Sequence, residues 1–150
     1  MSKKTQEQKS KTEQVEHSDP LDFPAGLPGF EEHNRFVLES RADMRPFLWL
    51  RSLSDPDIAL PVISCLLLKK QAPIHISNEE LQLIGSPSQD DIASYFILRV
   101  DAKEGTITAN TRAPVLINAK TMQGRQVILD REDLRVDEPL ANIASSREEE

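Results

Sequence analysis

The sequence predicts an all-β fold, namely a small antiparallel β-barrel or sandwich with a short helical insertion. Short runs of β-branched, aliphatic and aromatic residues follow one another, with turn residues about every 8–12 positions. Strands do not alternate with long helices, which argues against a parallel sheet. Roughly seven or eight short strands of this kind are typical of closed or layered antiparallel sheets.

A loop rich in proline and glycine precedes the first predicted strand. Phe23–Gly26 and Leu27–Phe30 each combine proline with a following glycine. Proline suits the second position of a turn, and Gly29 suits the position of a type II turn where φ is positive. The aromatic and aliphatic residues of these segments favour an ordered loop.

The strands are predicted from β-branched and apolar runs bounded by turns. In the first half they are Arg35–Glu39, Phe47–Ser52, the long run Ile58–Leu68 and the short piece Ile74–Ile76. Pro61 places the long run at an edge or a bulge, because proline donates no ladder hydrogen bond. In the second half, Tyr95–Val100 pairs with Thr106–Asn110, and Pro114–Asn118 pairs with Arg125–Leu129 across a turn at Gln123–Gly124.

A helical insertion is predicted between the two halves. Ser77 is a good N-cap, and Glu80 stands three residues later, as a capping box requires. The helix is expected to end at Gly85. Ser88–Ile92 is expected to form a further helical turn.

The two ends of the chain differ from the middle in composition. Residues 1–19 carry one aliphatic side chain beyond the initiator, Val15, and are predicted to form a disordered polar arm. Residues 141–150 end in Arg147 and three glutamates and are predicted to be a disordered acidic tail. The β domain is therefore expected to span residues 20–140.

The net charge of −7 argues against nucleic acid or an anionic membrane as direct partner, since both select basic surfaces. A basic protein partner fits better. The single cysteine, Cys65, allows no internal disulfide. No secretory or membrane-spanning apolar segment is apparent, so a cytoplasmic protein is expected.

Candidate catalytic residues are few. His17, His33 and His75 lack the short spacing of a metal site, and Cys65 in its apolar run is expected to be a buried, inert thiol. The paired carboxylates, such as Glu79-Glu80 and Asp90-Asp91, are neighbours in sequence and are expected to be solubilising charge. No cofactor and no metal are expected.

Three segments resemble one known family. They are FPAGLPGFEEHNRFVL (Phe23–Leu38), PFLWLRSLSDPDIALPVI (Pro46–Ile63) and TANTRAPVLINAKTMQGRQVIL (Thr108–Leu129). Their order and spacing are similar to those of the flagellar assembly factor FliW, and the resemblance covers about residues 23–140. Family members usually begin with an additional strand pair, and here its place is taken by the polar arm, so this hairpin is either absent or diverged.

The resemblance implies a non-enzymatic regulator with two protein partners. FliW-like proteins bind the RNA-binding translational regulator CsrA and also flagellin. When flagellin is bound to the FliW-like protein, CsrA is free to repress flagellin translation. When flagellin is exported, the FliW-like protein is released, binds CsrA and relieves the repression. An acidic antagonist suits a basic partner. The protein alone is expected to be monomeric.

The candidate partner-binding residues lie on one strand, its following turn and the last hairpin. They are Phe47, Trp49, Asp55, Asp57, Asn118 and Arg125. Each has a structural alternative: Trp49 would be core if it faces inward, Asp55 would start its turn, and Asn118 would bond backbone groups at a bend.

Two other function classes remain open on sequence. One is a hydrolase that uses carboxylates in a barrel mouth, which predicts a concave pocket with convergent polar groups. The other is an oligomeric β module that associates through exposed strand edges, which predicts a size that depends on concentration.

Overall fold

The structure, a computed structural model, describes residues 15–68 and 75–143. The strands are β1 (Val15–His17), β2 (Leu21–Asp22), β3 (Arg35–Arg41), β4 (Leu48–Ser52), β5 (Ala59–Ser64), β6 (Ile92–Asp101), β7 (Thr106–Ala109), β8 (Val115–Asn118), β9 (Gln123–Gln126) and β10 (Glu138–Pro139). The α-helices are α1 (Asn78–Gln82) and α2 (Leu140–Ile143), and 3-10 turns cover Ala42–Met44, Cys65–Leu67 and Gln89–Asp91.

The sheet closes on itself. The pairing path runs β6-β5-β4-β3-β2-β9-β8 and returns to β6, because the first half of β6 pairs with β8. Every pairing on this path is antiparallel except β2–β9. The second half of β6 extends beyond the barrel and pairs with β7, which in turn pairs with β10. The predicted all-β fold with a short helical insertion is confirmed.

Side chains that point into the barrel form the main core. Its buried members are Leu21, Phe23, Leu27, Phe36, Leu50, Val62, Val115 and Ile117. Phe23 and Phe36 meet edge to face, with ring centroids 5.3 Å apart. Phe23 also lies over Gly124, where an added Cβ would be 2.4 Å from the ring's Cζ. This contact anchors the proline and glycine loop to β9.

Two smaller apolar clusters lie on the outside of the barrel, because strand side chains alternate between faces. The cluster on β5 and β6 contains Ile63, Phe96 and Leu98 and includes Leu140 of α2. The cluster on β8 contains Leu116 and includes Ile84, which follows α1. The two helical segments therefore cover outward-facing apolar residues of the sheet.

Both predicted hairpins are present, as β6–β7 and β8–β9. In the second hairpin the turn lies earlier in the chain than predicted. The turn lies at residues 119–122, where Met122 adopts φ +61° and donates its N–H to the Asn118 carbonyl at 2.7 Å. Gln123 and Gly124, predicted as the turn, belong to β9. Gly124 is required by the Phe23 ring above it and not by a turn.

Several element boundaries also differ from the prediction. Val15–His17, predicted within the disordered arm, pair with the second half of β3, and Ser18 bonds both backbone groups of Leu38 at 2.9 Å. The first residues of the predicted tail, 141–143, continue α2. The long run Ile58–Leu68 divides into β5 and a 3-10 turn, and His75 and Ile76 form no strand. Residues 1–14, 69–74 and 144–150, including the rest of both predicted ends, lie outside the described residues.

Candidate functional site

The first candidate surface lies on the outside of β1, β3 and β4 and is called here the outer-strand face. Its members are His17, Glu39, Arg41, Trp49 and Arg51. Glu39 pairs with Trp49 across β3 and β4, and with His17 across β1 and β3. Facing residues in neighbouring strands share one side of the sheet, so this surface is opposite the barrel core.

Glu39 is the centre of this face and is only 5% exposed. Its Oε1 accepts from Arg51 Nε at 2.9 Å and from a terminal guanidinium nitrogen at 2.6 Å. Its Oε2 lies 3.6 Å from His17 Nε2 and 3.9 Å from an Arg41 nitrogen. A buried carboxylate is tolerated only when it is paired in this way.

Trp49 lies beside this ion-pair network. It is half-buried, and the Arg41 guanidinium lies over its ring, 5.9 Å from the centroid. On the other side of β4, Leu50 is buried in the barrel core. The structural alternative that Trp49 is a core residue was wrong, because the alternation of β4 points Leu48 and Leu50 toward the barrel core and Trp49 away from it. Phe47 packs against the outer cluster that contains Phe96.

The turn after β4 brings carboxylates next to the outer-strand face. Asp55 Oδ1 accepts the Asp57 N–H at 3.1 Å, and the Asp55 carbonyl accepts the Ile58 N–H at 2.9 Å. Arg51 reaches the same turn through the Pro56 carbonyl. The turn role suggested for Asp55 is therefore present, while the Asp57 side chain is exposed.

The two candidates on the last hairpin have partners inside the chain. Asn118 is 2% exposed, donates to the Ile84 carbonyl at 2.7 Å and accepts from the N–H of Lys120 and Thr121. This is the structural alternative given for Asn118 above. Arg125 Nε donates to Glu80 Oε1 at 2.8 Å. Ser77 caps α1 as predicted, but the Glu80 carboxylate joins α1 to β9.

The second candidate surface is an open groove of about 350 Å³ at one end of the barrel, called here the mouth groove. Its lining residues are Leu27, Pro28, Phe30, Leu60, Ile97, Asn110, Arg112, Ala113, Gln126, Ile128 and Val136. Leu60 and Ile97 also pack on the barrel core, so the groove continues the barrel interior. Ile128 and Val136 are 71% and 63% exposed and extend its apolar surface outward.

Among the described residues that line the mouth groove, Arg112 is the only charged one. It is half-buried, and its Nε donates to the Leu129 carbonyl at a long 3.4 Å. Within the described part of the chain, its terminal nitrogens reach no acceptor and no carboxylate pairs with it. Among the described residues that line this groove there is no aspartate, glutamate or histidine, so they do not provide the convergent acids that the hydrolase alternative predicts.

Other reactive groups are either buried or paired on the surface. Burial raises the pKa of the Cys65 thiol to about 11, which fits the inert thiol predicted from the sequence. The Arg131 guanidinium, hydrogen-bonded to Asp133, lowers the pKa of that carboxyl. Across residues 15–68 and 75–143, no cluster of three potential metal ligands is present. The same residues include no helix long and apolar enough to cross a membrane.

Comparisons with known proteins agree with the motifs and the barrel. The sequence model of the family described as FliW protein matches residues 4–140. The chain belongs to the FliW family. The match includes residues 4–14, so the polar arm lies within the family's length.

Individual FliW proteins and a solved FliW structure support the same assignment. The chain is 33% identical to the flagellar assembly factor FliW of Thermosipho africanus, over 87% of this chain and 91% of that protein. It is 35% identical to FliW of Leptospira interrogans, over 88% and 89% of the two chains. A crystal structure of the flagellar assembly factor FliW superposes with a TM-score of 0.74 at 30% identity, covering 81% of this chain and 85% of that one.

Sequence reasoning missed the central charged residue of each surface, Glu39 and Arg112. The alternation along β3 places the charged Glu39 and Arg41 on its outer side, and this signal was available from the sequence. Arg112 stands in a loop between β7 and β8, where no periodicity indicates direction. Its position in the groove depends on the closure of the barrel.

Proposed function

We propose that the protein is a non-enzymatic, cytoplasmic regulator of flagellin synthesis that binds CsrA and flagellin in turn. The observation that carries this proposal is membership of the FliW family over residues 4–140. Flagellin-bound protein leaves CsrA free to repress flagellin translation. Protein released by flagellin export binds CsrA and relieves the repression.

The outer-strand face and the adjoining turn are proposed to contact CsrA. Trp49 supplies a half-buried aromatic surface, and aromatic residues are enriched among residues that dominate binding energy. Asp55 and Asp57 supply negative charge in the turn that follows β4. Such charge steers a basic partner and raises the association rate more than it raises affinity.

Phe47, Asn118 and Arg125 are proposed to act indirectly. Phe47 holds the start of β4 against the outer cluster, and Asn118 and Arg125 tie β8 and β9 to the segment around α1. We propose that they fix the shape of the partner surfaces without forming them.

The direct test is titration calorimetry of the purified protein against CsrA and, separately, against flagellin. Micromolar or tighter binding to both supports the proposal. Binding to neither, from a sample with a cooperative unfolding transition, contradicts it. Light scattering across a wide concentration range tests the proposed monomer, and a mass that grows with concentration would instead support the oligomeric alternative.

The matched variants are Trp49→Ala and Leu66→Ser. Trp49→Ala removes the aromatic surface of the outer-strand face, and Leu66→Ser changes an exposed side chain after β5 that belongs to neither candidate surface. We expect Trp49→Ala to weaken CsrA binding at least tenfold, or about 1.4 kcal/mol, and Leu66→Ser to leave it unchanged. Equal loss in both variants would contradict the assignment of CsrA to the outer-strand face.

A further inference from the structure

The mouth groove combines apolar walls with one cation that has no counter-charge among the described residues. Leu27, Phe30 and Ile97 supply apolar walls, and Arg112 supplies the only formal charge among the described lining residues. Arg112 is half-buried, so part of its side chain has lost its hydration. Because the described chain provides no carboxylate for it, a ligand that brings one would pair with a partly desolvated charge, where such pairing is strongest.

The groove also offers polar groups of the kind that an extended backbone uses. Asn110 Oδ1 accepts from the Arg112 N–H, and Gln126 Nε2 donates to the Ala113 carbonyl. In the described structure, this leaves the amide nitrogen of Asn110 and the amide oxygen of Gln126 without a partner. One donor and one acceptor beside an apolar surface suit the N–H and C=O groups of a passing peptide.

We propose that the mouth groove binds an extended segment of a partner protein in which an aspartate or glutamate stands between apolar side chains. The acidic side chain pairs with Arg112, and the apolar neighbours lie on the surface that runs from Phe30 to Ile128 and Val136. This inference deepens the proposed function and rests on it, because it gives the chemistry of the segment that one of the two partners presents.

The geometry favours a side-chain carboxylate over a chain terminus. Capture of a terminal carboxylate uses a nest of free backbone N–H groups. Around Arg112 three backbone N–H groups are already bonded: that of Arg112 to Asn110 Oδ1, that of Val127 to the Pro114 carbonyl and that of Leu129 to the Arg112 carbonyl. Among the described residues, no two successive positions there offer the free N–H groups of a nest. The open shape of the groove also lets a chain enter and leave.

The test is a nuclear magnetic resonance titration of the full ¹⁵N-labelled chain with three synthetic peptides. They are acetyl-Leu-Asp-Leu-amide, its neutral analogue acetyl-Leu-Asn-Leu-amide, and acetyl-Leu-Leu with a free terminal carboxylate. We expect the aspartate peptide to shift the Arg112 Nε–H resonance and the amides of Ile128 and Val136 in a saturable way. The asparagine peptide should bind at least about fivefold more weakly, and the free-carboxylate peptide more weakly than the aspartate peptide.

The variant Arg112→Met keeps the length of the side chain and removes the charge, and Arg99→Met is the matched control on an exposed arginine of β6. Arg112→Met should abolish the preference for aspartate over asparagine, and Arg99→Met should keep it. The inference is overturned if both peptides bind equally, if the terminal carboxylate binds best, if the shifts fall outside the groove, or if Arg112→Met retains the preference. Ile128→Ser gives a second check, because it should weaken all three peptides at a position that is already exposed.

Full-length partners separate this inference from the proposed function. If CsrA and flagellin both bind the wild type and Arg112→Met changes neither affinity, the groove assignment fails while the proposed function stands. If neither partner binds the wild type and the aspartate preference is present, the proposed function fails while the groove chemistry stands. A loss of at least tenfold in the affinity of one partner for Arg112→Met supports both.

Discussion

The outer-strand face and the mouth groove differ in whether their central charged side chain has an ion-pair partner among the described residues. On the outer-strand face, Glu39 is surrounded by Arg51, Arg41 and His17, so its charge is neutralised within the protein. In the mouth groove, the Arg112 guanidinium has no carboxylate among the described residues. A satisfied buried charge holds strands together, whereas an unsatisfied one beside apolar surface is available to a partner. This contrast should appear in both the stability and the binding of variants on the two surfaces.

The largest effect is expected where the loop rich in proline and glycine packs against β9. Gly124→Ala places a Cβ 2.4 Å from Phe23 Cζ, so the ring and the loop behind it must move. We expect a loss of about 3 kcal/mol in the free energy of unfolding, the upper end of the usual cost of overpacking, measured by urea denaturation.

The double variant Phe23→Leu with Gly124→Ala provides the control. Since the clash needs the aromatic ring, adding alanine to Phe23→Leu should cost clearly less than adding it to the wild type. A stability of Gly124→Ala within about 0.5 kcal/mol of wild type, an ordinary surface effect, would contradict the packing described for Phe23.

The next effect concerns the charge network of the outer-strand face. Glu39→Ala leaves Arg51 without its buried partner, and we expect a loss of about 3 kcal/mol in unfolding free energy, the lower end for such a change because Arg51 keeps some contact with water. Asp22→Ala breaks the exposed pair with Arg35 and should cost less than about 1 kcal/mol. An equal loss of unfolding free energy in the two variants would contradict the view that burial makes the Glu39–Arg51 pair matter more than the Asp22–Arg35 pair.

Substitutions on the two faces of β4 should lower the free energy of unfolding by different amounts. Leu50→Ala empties a core position and should cost about 3 kcal/mol. Trp49→Ala removes a half-buried ring and its contact with Arg41, which should cost about 1–2 kcal/mol. If Trp49→Ala costs as much as Leu50→Ala, Trp49 belongs to the core after all.

The smallest effect is expected at the turn after β4. Asp55→Ala removes one side-chain acceptor for the Asp57 N–H and should cost about 0.5 kcal/mol, the low end for a hydrogen bond. In stopped-flow mixing, the variant should associate with CsrA more slowly at low salt, with a smaller difference at high salt. A broad, uncooperative thermal transition would mean that the turn organises the barrel.

Much of the barrel was predictable because its strands carry local signals. The alternation in β6 and β7, the Ser77 cap of α1 and the turn at Asp55 were all found where the residues indicated them. Sequence alone assigned Gly124 to a turn, because glycine usually marks one. Glycine is required at this position because the Phe23 ring lies over it, and Phe23 is about one hundred residues earlier in the chain.

Two features that sequence reasoning missed, β1 and Arg112, depend on contacts between distant segments. β1 has one apolar residue, Val15, and its pairing with β3 is supported by Ser18 and by the His17–Glu39 contact. Arg112 lies in a loop and enters the groove only because β6 closes the barrel with β8. No pattern within either segment indicates these contacts.

The central claim, that CsrA and flagellin bind this protein in turn, is tested most directly by displacement. Fluorescently labelled CsrA is bound to the protein, and flagellin is added while the anisotropy of the label is followed. We expect the anisotropy to fall to the value of free CsrA as flagellin saturates the protein. An anisotropy that stays constant or rises, with all three proteins in one complex by size exclusion, would contradict it.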